Sequence, residues 1–141
     1  MTGGATGGLT GCTPGRVPAN RMTPAFRTWL QPRRADGSYF GFVTLDGDVP
    51  VAGIGLMDID WPPHPLHPEQ DRRGYVLNVY VEPSHRQRGL ARGLMDHAEV
   101  AFKARGLPYA ILHATEMGRP LYAGLGWTPT TEMAKAVDGV G

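Results

Sequence analysis

One stretch of the chain, Val79–Met95, limits its possible folds more than any other. It begins as a β-strand that stops at Pro83, because proline cannot donate to a strand ladder, and it continues through a short basic loop. Apolar residues at helical spacing then predict a helix from about Gly89 to Arg105. A further strand is predicted over Tyr109–Ala114, and the order strand, helix, strand implies a right-handed parallel crossover.

The start of the predicted helix has the properties of a phosphate-binding site. The first amides of a helix have no partner within it and lie at the positive end of the helix dipole. Gly89 would let the backbone approach a phosphate closely, while Arg86, Arg88 and Arg92 add positive charge around it. We therefore expect a pyrophosphate here; a solvated basic turn without a ligand is the alternative.

The composition limits the classes of protein to consider. The 141 residues suffice for one domain with its own core, and the formal net charge of +1 gives no reason to expect a nucleic acid or a polybasic membrane contact. Cys12 is the sole cysteine, so the chain can form neither an internal disulfide nor a cysteine-based zinc site. The sequence shows no bilayer-length apolar run and no secretory signal, so a soluble, cytoplasmic protein is expected.

The N-terminal part predicts a flexible segment and then a helix. Residues 1–20 are rich in glycine and nearly devoid of apolar side chains, which favours a flexible tail, and residues 21–141 would form the domain. Thr23 has the position of a helix N-cap, followed by a proline that suits the first helical turn. The helix is expected to end at Pro32.

A β-hairpin is predicted after this helix. Its strands, Tyr39–Leu45 and Val49–Met57, are rich in β-branched, aromatic and aliphatic residues, and the turn Asp46-Gly47-Asp48 joins them. Gly53 and Gly55 lie inside the second strand. They mark a bulge, a close approach to the backbone, or positions where neighbouring side chains pack.

A proline-rich loop, Asp60–Gly74, separates the hairpin from the next strand. Its four prolines cannot lie inside a sheet, and long loops beside a rigid sheet often form walls of binding sites. His64 and His67 are a weak metal-binding pair, because no third ligand is evident and no helix holds them on one face.

The second half of the chain supplies the rest of the predicted sheet. Alternation along Tyr75–Val81 would place the odd-numbered residues on one face and the even-numbered ones on the other, and both faces are largely apolar. A short helix is predicted over Arg119–Leu125. The β-forming residues from Trp127 to about Val137 predict a last strand or hairpin.

Two motifs make the second half similar to the GNAT superfamily of acyl-CoA-dependent N-acetyltransferases. The spacing Arg86-x-x-Gly89-x-Ala91 resembles the family signature (Arg/Gln)-x-x-Gly-x-(Gly/Ala). The run Tyr-x-x-x-Gly-Trp over residues 122–127 stands where the family commonly shows Tyr-x-x-x-Gly-Phe. Each motif lies on the expected element, and the agreement of the two motifs is stronger evidence than either motif alone. The resemblance implies an α/β fold with a mixed, mostly antiparallel sheet and a central splayed parallel strand pair, flanked by helices.

The resemblance also implies acetyl-CoA as the acyl donor and requires no metal. The pantetheine arm would enter the gap between the splayed strands, and the pyrophosphate would lie on the amides of the helix start. Thr115 stands where many members have an asparagine that contacts coenzyme A, so that contact is weakened or replaced here. The residues that the resemblance places around acetyl-CoA are Val79, Tyr80, Val81, Arg86, Gln87, Arg88, Gly89, Leu90, Ala91, Arg92 and Thr115.

In the reaction implied by the resemblance, an amine attacks the thioester directly and Tyr122 protonates the departing thiolate. A tyrosine is protonated at neutral pH and can donate to a developing anion, although a packing role for this tyrosine is the alternative. A backbone amide, that of Tyr80 or Val81, would hold the oxyanion. The base stays open among six candidates, which are Glu82, Asp58, Asp60, His64, His113 and Glu116.

GNAT domains usually begin with a strand and a helix that form one wall of the acceptor site, and the glycine-rich tail is not expected to supply them. The wall would then be absent, encoded upstream or completed by a partner, and an open sheet edge is compatible with a homodimer. The predicted function is acetyl-CoA-dependent N-acetylation of a primary amine, preferably of a small molecule. The alternatives are a non-catalytic acyl-CoA-binding or interaction module and an unrelated α/β domain for another phosphate ligand.

Overall fold

The computed structural model describes residues 9–14 and 23–137, and they form one five-stranded sheet covered by helices. The strand order is β1-β2-β3-β4-β5, and β4 and β5 are parallel while the other neighbours are antiparallel. This arrangement confirms the predicted fold class. In chain order the elements are β1 (Leu9–Pro14), α1 (Pro24–Ala35), β2 (Tyr39–Asp46), β3 (Val49–Asp60), β4 (Arg72–Val81), α2 (Leu90–Ala104), β5 (Ala110–Leu112) and α3 (Arg119–Gly124).

Apolar side chains cover both faces of the sheet, as the composition of the central strand predicts. On one face α2 packs over the sheet, and we call this cluster the α2-side core. On the other face α1 packs over β2, and we call that smaller group the α1-side cluster. The buried members of the α2-side core are Val51, Ala52, Ile54, Leu56, Val76, Leu90, Leu94, Met95, Ala98, Phe102 and Leu107. The buried members of the α1-side cluster are Leu30, Tyr39 and Met57.

The predicted hairpin is present as β2 and β3, although β3 extends to Asp60, three residues beyond the prediction. The glycines inside β3 leave room for tyrosine rings. A Cβ atom at Gly53 would lie 2.6 Å from the ring of Tyr80, and one at Gly55 would overlap the hydroxyl of Tyr39. The packing interpretation therefore holds for both glycines.

A β-bulge in β4 changes the predicted alternation. Asn78 pairs with Gly55 and Val76 pairs with Leu56, so Leu77 is an extra residue on β4. Val76 consequently faces the α2-side core, whereas Tyr75 and Leu77 pack against the α1-side cluster. The prediction of strict alternation from Tyr75 to Val81 is wrong because one inserted residue exchanges the two faces.

Helix α1 begins as predicted but does not end at Pro32. The hydroxyl oxygen of Thr23 accepts a hydrogen bond from the Phe26 N–H at 3.1 Å. The helix continues to Ala35, because the Pro32 carbonyl still accepts the Asp36 N–H at 3.0 Å. A proline this close to a C-terminus removes one donor without ending the last turn.

The prediction of a flexible tail over residues 1–20 is wrong for Leu9–Pro14, which form β1 along the outer edge of β2. Composition could not reveal this strand, because it pairs through its backbone and needs no apolar side chains. Residues 1–8 and 15–22 lie outside the described residues. Since β1 covers this edge, an open edge there no longer argues for a homodimer.

The predicted last strand between Trp127 and Val137 is absent from the structure, which shows no regular element there. β-Propensity alone does not make a strand, and β5 offers only three residues as a pairing edge. Pro129 also lacks a donor. Among the described residues, none of the helices combines the length and the apolar character needed to cross a membrane.

Candidate functional site

The parallel strands β4 and β5, at one edge of the five-stranded sheet, separate partway along β4. They pair over only three positions, and the last pair joins Val76 to Leu112. β4 continues to Val81, with β3 as its partner on the other side. The separation coincides with the bulge at Leu77, so the edge of β4 that faces β5 opens into a gap at this point.

The loop after β4 leads directly from this gap to the start of α2. A short 3-10 turn, Pro83–His85, follows the strand. The His85 Nε2 lies 2.8 Å from an Asp46 carboxylate oxygen, which ties the loop to the β2–β3 turn. The Arg86 Nε donates to the Val81 carbonyl at 3.2 Å, which holds the loop against the end of β4.

The start of α2 presents amides that have no partner within the helix. Its first intrahelical bond runs from the Gly93 N–H to the Gly89 carbonyl at 3.0 Å, so the amides of the three residues between them precede the ladder. Gly89 and Gln87 both have left-handed φ angles, of 73° and 64°. Gln87 is the one non-glycine residue with positive φ in the described part, and such strain clusters at binding loops.

Side chains around the helix start divide into a buried anchor and exposed charges. Leu90 is buried in the α2-side core, so only its backbone amide can face a ligand. Arg86, Arg88 and Arg92 are exposed, and none of them makes an ion pair with a described residue. The loop therefore combines helix amides with three cationic side chains, which is the chemistry of an anion site.

Tyr122 lies on α3 and packs against the α2-side core. Partial burial raises the pKa of its phenol, because the charged form loses solvation. A Cβ atom at Gly118 would lie 2.9 Å from the Tyr122 ring, so this glycine leaves the space that the ring needs. The Thr115 hydroxyl accepts the Gly118 N–H at 3.2 Å and helps to fix the turn before α3.

A cavity of about 770 Å³ lies beside Tyr122, between α2, β5, α3 and the segment after α3. It includes His113, Trp127 and Glu132 among its lining residues. Residues 79–81 and 86–92 lie outside it. The structure thus places the strand edge and the helix start next to each other, and it places Tyr122 in a cavity along β5.

The six candidate bases are spread over the molecule. The Asp58 carboxylate accepts from the Arg72 side chain at the far end of β4, away from the gap. His64 stacks on Tyr109 before β5, with ring centroids 4.2 Å apart, and the loop that carries it packs there rather than over the gap. Asp60 also lies at that end, Glu82 follows β4, and Glu116 is exposed in the turn before α3.

His113 is the candidate nearest the separation of the strands, directly after β5. Its Nε2 lies 3.8 Å from a Glu132 carboxylate oxygen, and its ring centroid lies 5.6 Å from that of Tyr75. Sequence reasoning missed Glu132 and Tyr75 because both are remote from His113 in the chain. The described residues contain no group of three or more His, Cys, Asp and Glu side chains arranged for a metal.

The geometry defines an α/β protein in which a helix with exposed amides at its start lies beside a split parallel strand pair. A sequence model of the Acetyltransferase (GNAT) family matches residues 10–127. The chain therefore belongs to the GNAT acetyltransferase family, which confirms the resemblance drawn from the two motifs. A search of curated protein sequences finds no match.

Solved structures agree with this assignment. A GCN5-related N-acetyltransferase from Ralstonia eutropha JMP134 is 51% identical, with a TM-score of 0.84, and the match covers 94% of this chain and 100% of that chain. A predicted acetyltransferase from Clostridium acetobutylicum, solved with acetyl-CoA, is 25% identical, with a TM-score of 0.76 and coverage of 87% and 79%. A glucosamine-6-phosphate N-acetyltransferase from Arabidopsis thaliana, 15% identical with a TM-score of 0.67 and coverage of 90% and 99%, shares the fold.

Proposed function

We propose that this protein transfers an acetyl group from acetyl-CoA to the primary amine of a small molecule, by direct attack of the amine on the thioester. One observation carries the proposal. The gap between β4 and β5 opens at Leu77, and the same strand then leads into a helix start with left-handed Gln87 and Gly89. The Clostridium acetobutylicum neighbour, solved with acetyl-CoA, supports the choice of donor.

The proposed donor site uses the backbone more than side chains. The amides of residues 90–92 would hold the pyrophosphate, with Arg86, Arg88 and Arg92 balancing its charge. Gly89 has no atom within 4 Å of where a Cβ would stand, so the backbone is open to a ligand there. The strand edge at Val79–Val81 would bond the pantetheine arm. Acetyl-CoA supplies the thioester when it is bound.

Tyr122 is proposed as the general acid. Its raised pKa keeps the phenol protonated across the neutral range, so it retains a proton to give to the thiolate sulfur as the carbon–sulfur bond breaks. A β4 amide at the gap would stabilise the oxyanion. The cavity of about 770 Å³ beside Tyr122 is of the size that small ligands occupy, which supports a small-molecule acceptor.

The test combines calorimetric titration with acetyl-CoA and a mass-spectrometric screen of acetylation over a panel of primary amines. We expect binding, and turnover with at least one amine. The variant Tyr122→Phe should bind acetyl-CoA as the wild type does, while kcat falls by about 10²-fold or more, because it lacks the donated proton.

Tyr39→Phe is the matched control, since this tyrosine lies in the α1-side cluster and does not line the cavity beside Tyr122. It should leave both affinity and kcat unchanged. Unchanged turnover in folded Tyr122→Phe would contradict the assignment of the general acid. Binding of acetyl-CoA without acetylation of any amine would favour the non-catalytic acyl-CoA-binding module instead.

A further inference from the structure

Three titratable side chains from three separate parts of the chain meet where β4 and β5 separate. His113 follows the last residue of β5 and is exposed. A Glu132 carboxylate oxygen lies 3.8 Å from the His113 Nε2, and the centroids of the His113 and Tyr75 rings lie 5.6 Å apart. The imidazole thus lies beside both β4 and the segment after α3, next to the point where β5 leaves β4.

The strand register places His113 close to the predicted path of the acyl group. Leu112 is the last residue of β5 that pairs with β4, so continued pairing would set His113 opposite Leu77, the extra residue of the bulge. From Leu77 to Val79 the distance along the strand is about 7 Å. An imidazole at this position can reach that path through one water molecule.

His113 lies on the opposite face of β5 from the two strand residues that pack into the core. Ala110 and Leu112 pack against the α2-side core, whereas the His113 ring contacts Tyr75 of the α1-side cluster. His113 and Tyr122 nevertheless line the same cavity. An acceptor between them would therefore have a proton acceptor and a proton donor on two walls of one space.

We propose that His113 accepts the proton from the attacking amine and that Glu132 is the positioning residue that holds its ring. The proposal rests on the proposed function and identifies the base for that reaction. It favours His113 over Asp58, whose carboxylate is bound to Arg72, and over His64, whose ring is stacked on Tyr109 before β5.

The lone pair of the neutral amine forms the carbon–nitrogen bond, the carbonyl π electrons move to oxygen, and His113 takes a proton from the attacking nitrogen. The oxyanion then re-forms the carbonyl, the carbon–sulfur bond breaks with its electron pair on sulfur, and Tyr122 protonates that sulfur. His113 returns its proton to solvent and Tyr122 recovers one, so the products are the amide and the free thiol.

Other charged groups share the surroundings of His113. Glu132 and Tyr75 lie nearest to it. Burial raises the pKa of the Tyr75 phenol, and the negative charge of Glu132 raises it further. On the remaining cavity walls, α2 and α3 carry Asp96, Glu99, Lys103 and Arg119. Of these groups, Glu132 has its carboxylate beside the ring, 3.8 Å from Nε2, where it can orient the imidazole.

The test measures kcat/KM against pH for the wild type and for His113→Ala, His113→Gln and Glu132→Gln, with the amine that the panel identifies and with acetyl-CoA affinity measured in parallel. We expect kcat/KM to fall about 10²-fold or more in both His113 variants, with acetyl-CoA affinity unchanged. Added imidazole should restore part of the rate of His113→Ala, because it supplies the missing base. Glu132→Gln should lower kcat less than the His113 variants do and leave KM and acetyl-CoA affinity unchanged, because it loosens the position of the imidazole without removing the base.

His64→Gln is the matched control and should keep the wild-type rate and profile. Wild-type turnover together with His113 variants that stay within about threefold of it, with the same pH profile, would overturn this inference and leave the proposed function standing. If the His113 variants lost activity together with acetyl-CoA affinity, and imidazole restored nothing, His113 would be structural and the inference would be wrong. Absence of acetylation by the wild type would overturn the proposed function and this inference with it.

Discussion

Gly89 precedes α2 and Gly106 follows it, and the two have nearly the same left-handed backbone, with φ of +73° and +71°. Neither has an atom within 4 Å of where a Cβ would stand. At the end of α2 the backbone bonds to its own last turn. The Gly106 N–H donates to the Lys103 carbonyl at 3.0 Å, and the Leu107 N–H donates to the Phe102 carbonyl at 2.9 Å. At the start, the amides of residues 90–92 precede the first helical bond.

A left-handed glycine is therefore not in itself a binding site. Gly106 lets the chain fold back and close the helix with its own carbonyls, a common way to end a helix. Gly89 lets the chain enter the helix with its amides exposed at the positive end of the dipole. The same conformation therefore completes the backbone bonding at one end and leaves it open to an anion at the other.

The largest expected effect comes from a core residue of α2, whose replacement should lower stability without changing acetyl-CoA affinity. Leu94 lies between the two glycines and is fully buried in the α2-side core. Leu94→Ala should cost about 2–5 kcal/mol in the free energy of unfolding, because it removes buried methyl groups and leaves a cavity. Urea unfolding gives this value.

Acetyl-CoA affinity of Leu94→Ala, measured by calorimetry where the variant is folded, should match the wild type. A large loss of affinity in the folded variant would show that binding depends on packing along the whole helix rather than on the amides of its start. The comparison between the two ends of α2 would then fail.

The next largest effect comes from replacing each of the two glycines with valine. Gly89→Val and Gly106→Val should each lose on the order of 1–2 kcal/mol of stability, since both place a Cβ in a left-handed backbone. Only Gly89→Val should weaken acetyl-CoA, by tenfold or more, because its side chain would keep the pyrophosphate away from the helix amides. Calorimetric titration at a temperature where both variants are folded measures the two affinities. Equal affinities for acetyl-CoA would show that the two ends of α2 do not differ in binding.

The smallest effect concerns charge at the two ends. Arg88→Gln should weaken acetyl-CoA by roughly two- to tenfold and reduce the dependence of affinity on salt, because an exposed charge near the pyrophosphate is lost. Lys103, near the end of α2, pairs with Glu99 at 3.3 Å and is mostly exposed. Lys103→Gln should leave the affinity unchanged and cost about 0.5 kcal/mol or less. Equal losses of affinity in the two variants would point to a general charge effect.

Much of the proposed donor site could be read from the sequence because its parts are close together in the chain. The strand, Pro83, the basic loop and Gly89 follow one another within a few residues, and each acts through local backbone chemistry. The Tyr122 motif also lies within one short helix and the turn after it. Sequence patterns do not reveal elements whose pairing partners are remote in the chain, such as β1, which no alternating apolar pattern marks.

Sequence patterns alone predicted α2 and the loop before it, since local hydrogen bonding, helical periodicity and turn residues act over short stretches. The fold class followed from the resemblance to the GNAT family. The tertiary structure decided which strand edge β1 covers, where the bulge at Leu77 shifts the faces of β4, and that the segment after α3 forms no strand. It also brought His113, Tyr75 and Glu132 together. These features depend on register and on contacts between distant residues, which are fixed only when the whole sheet is assembled.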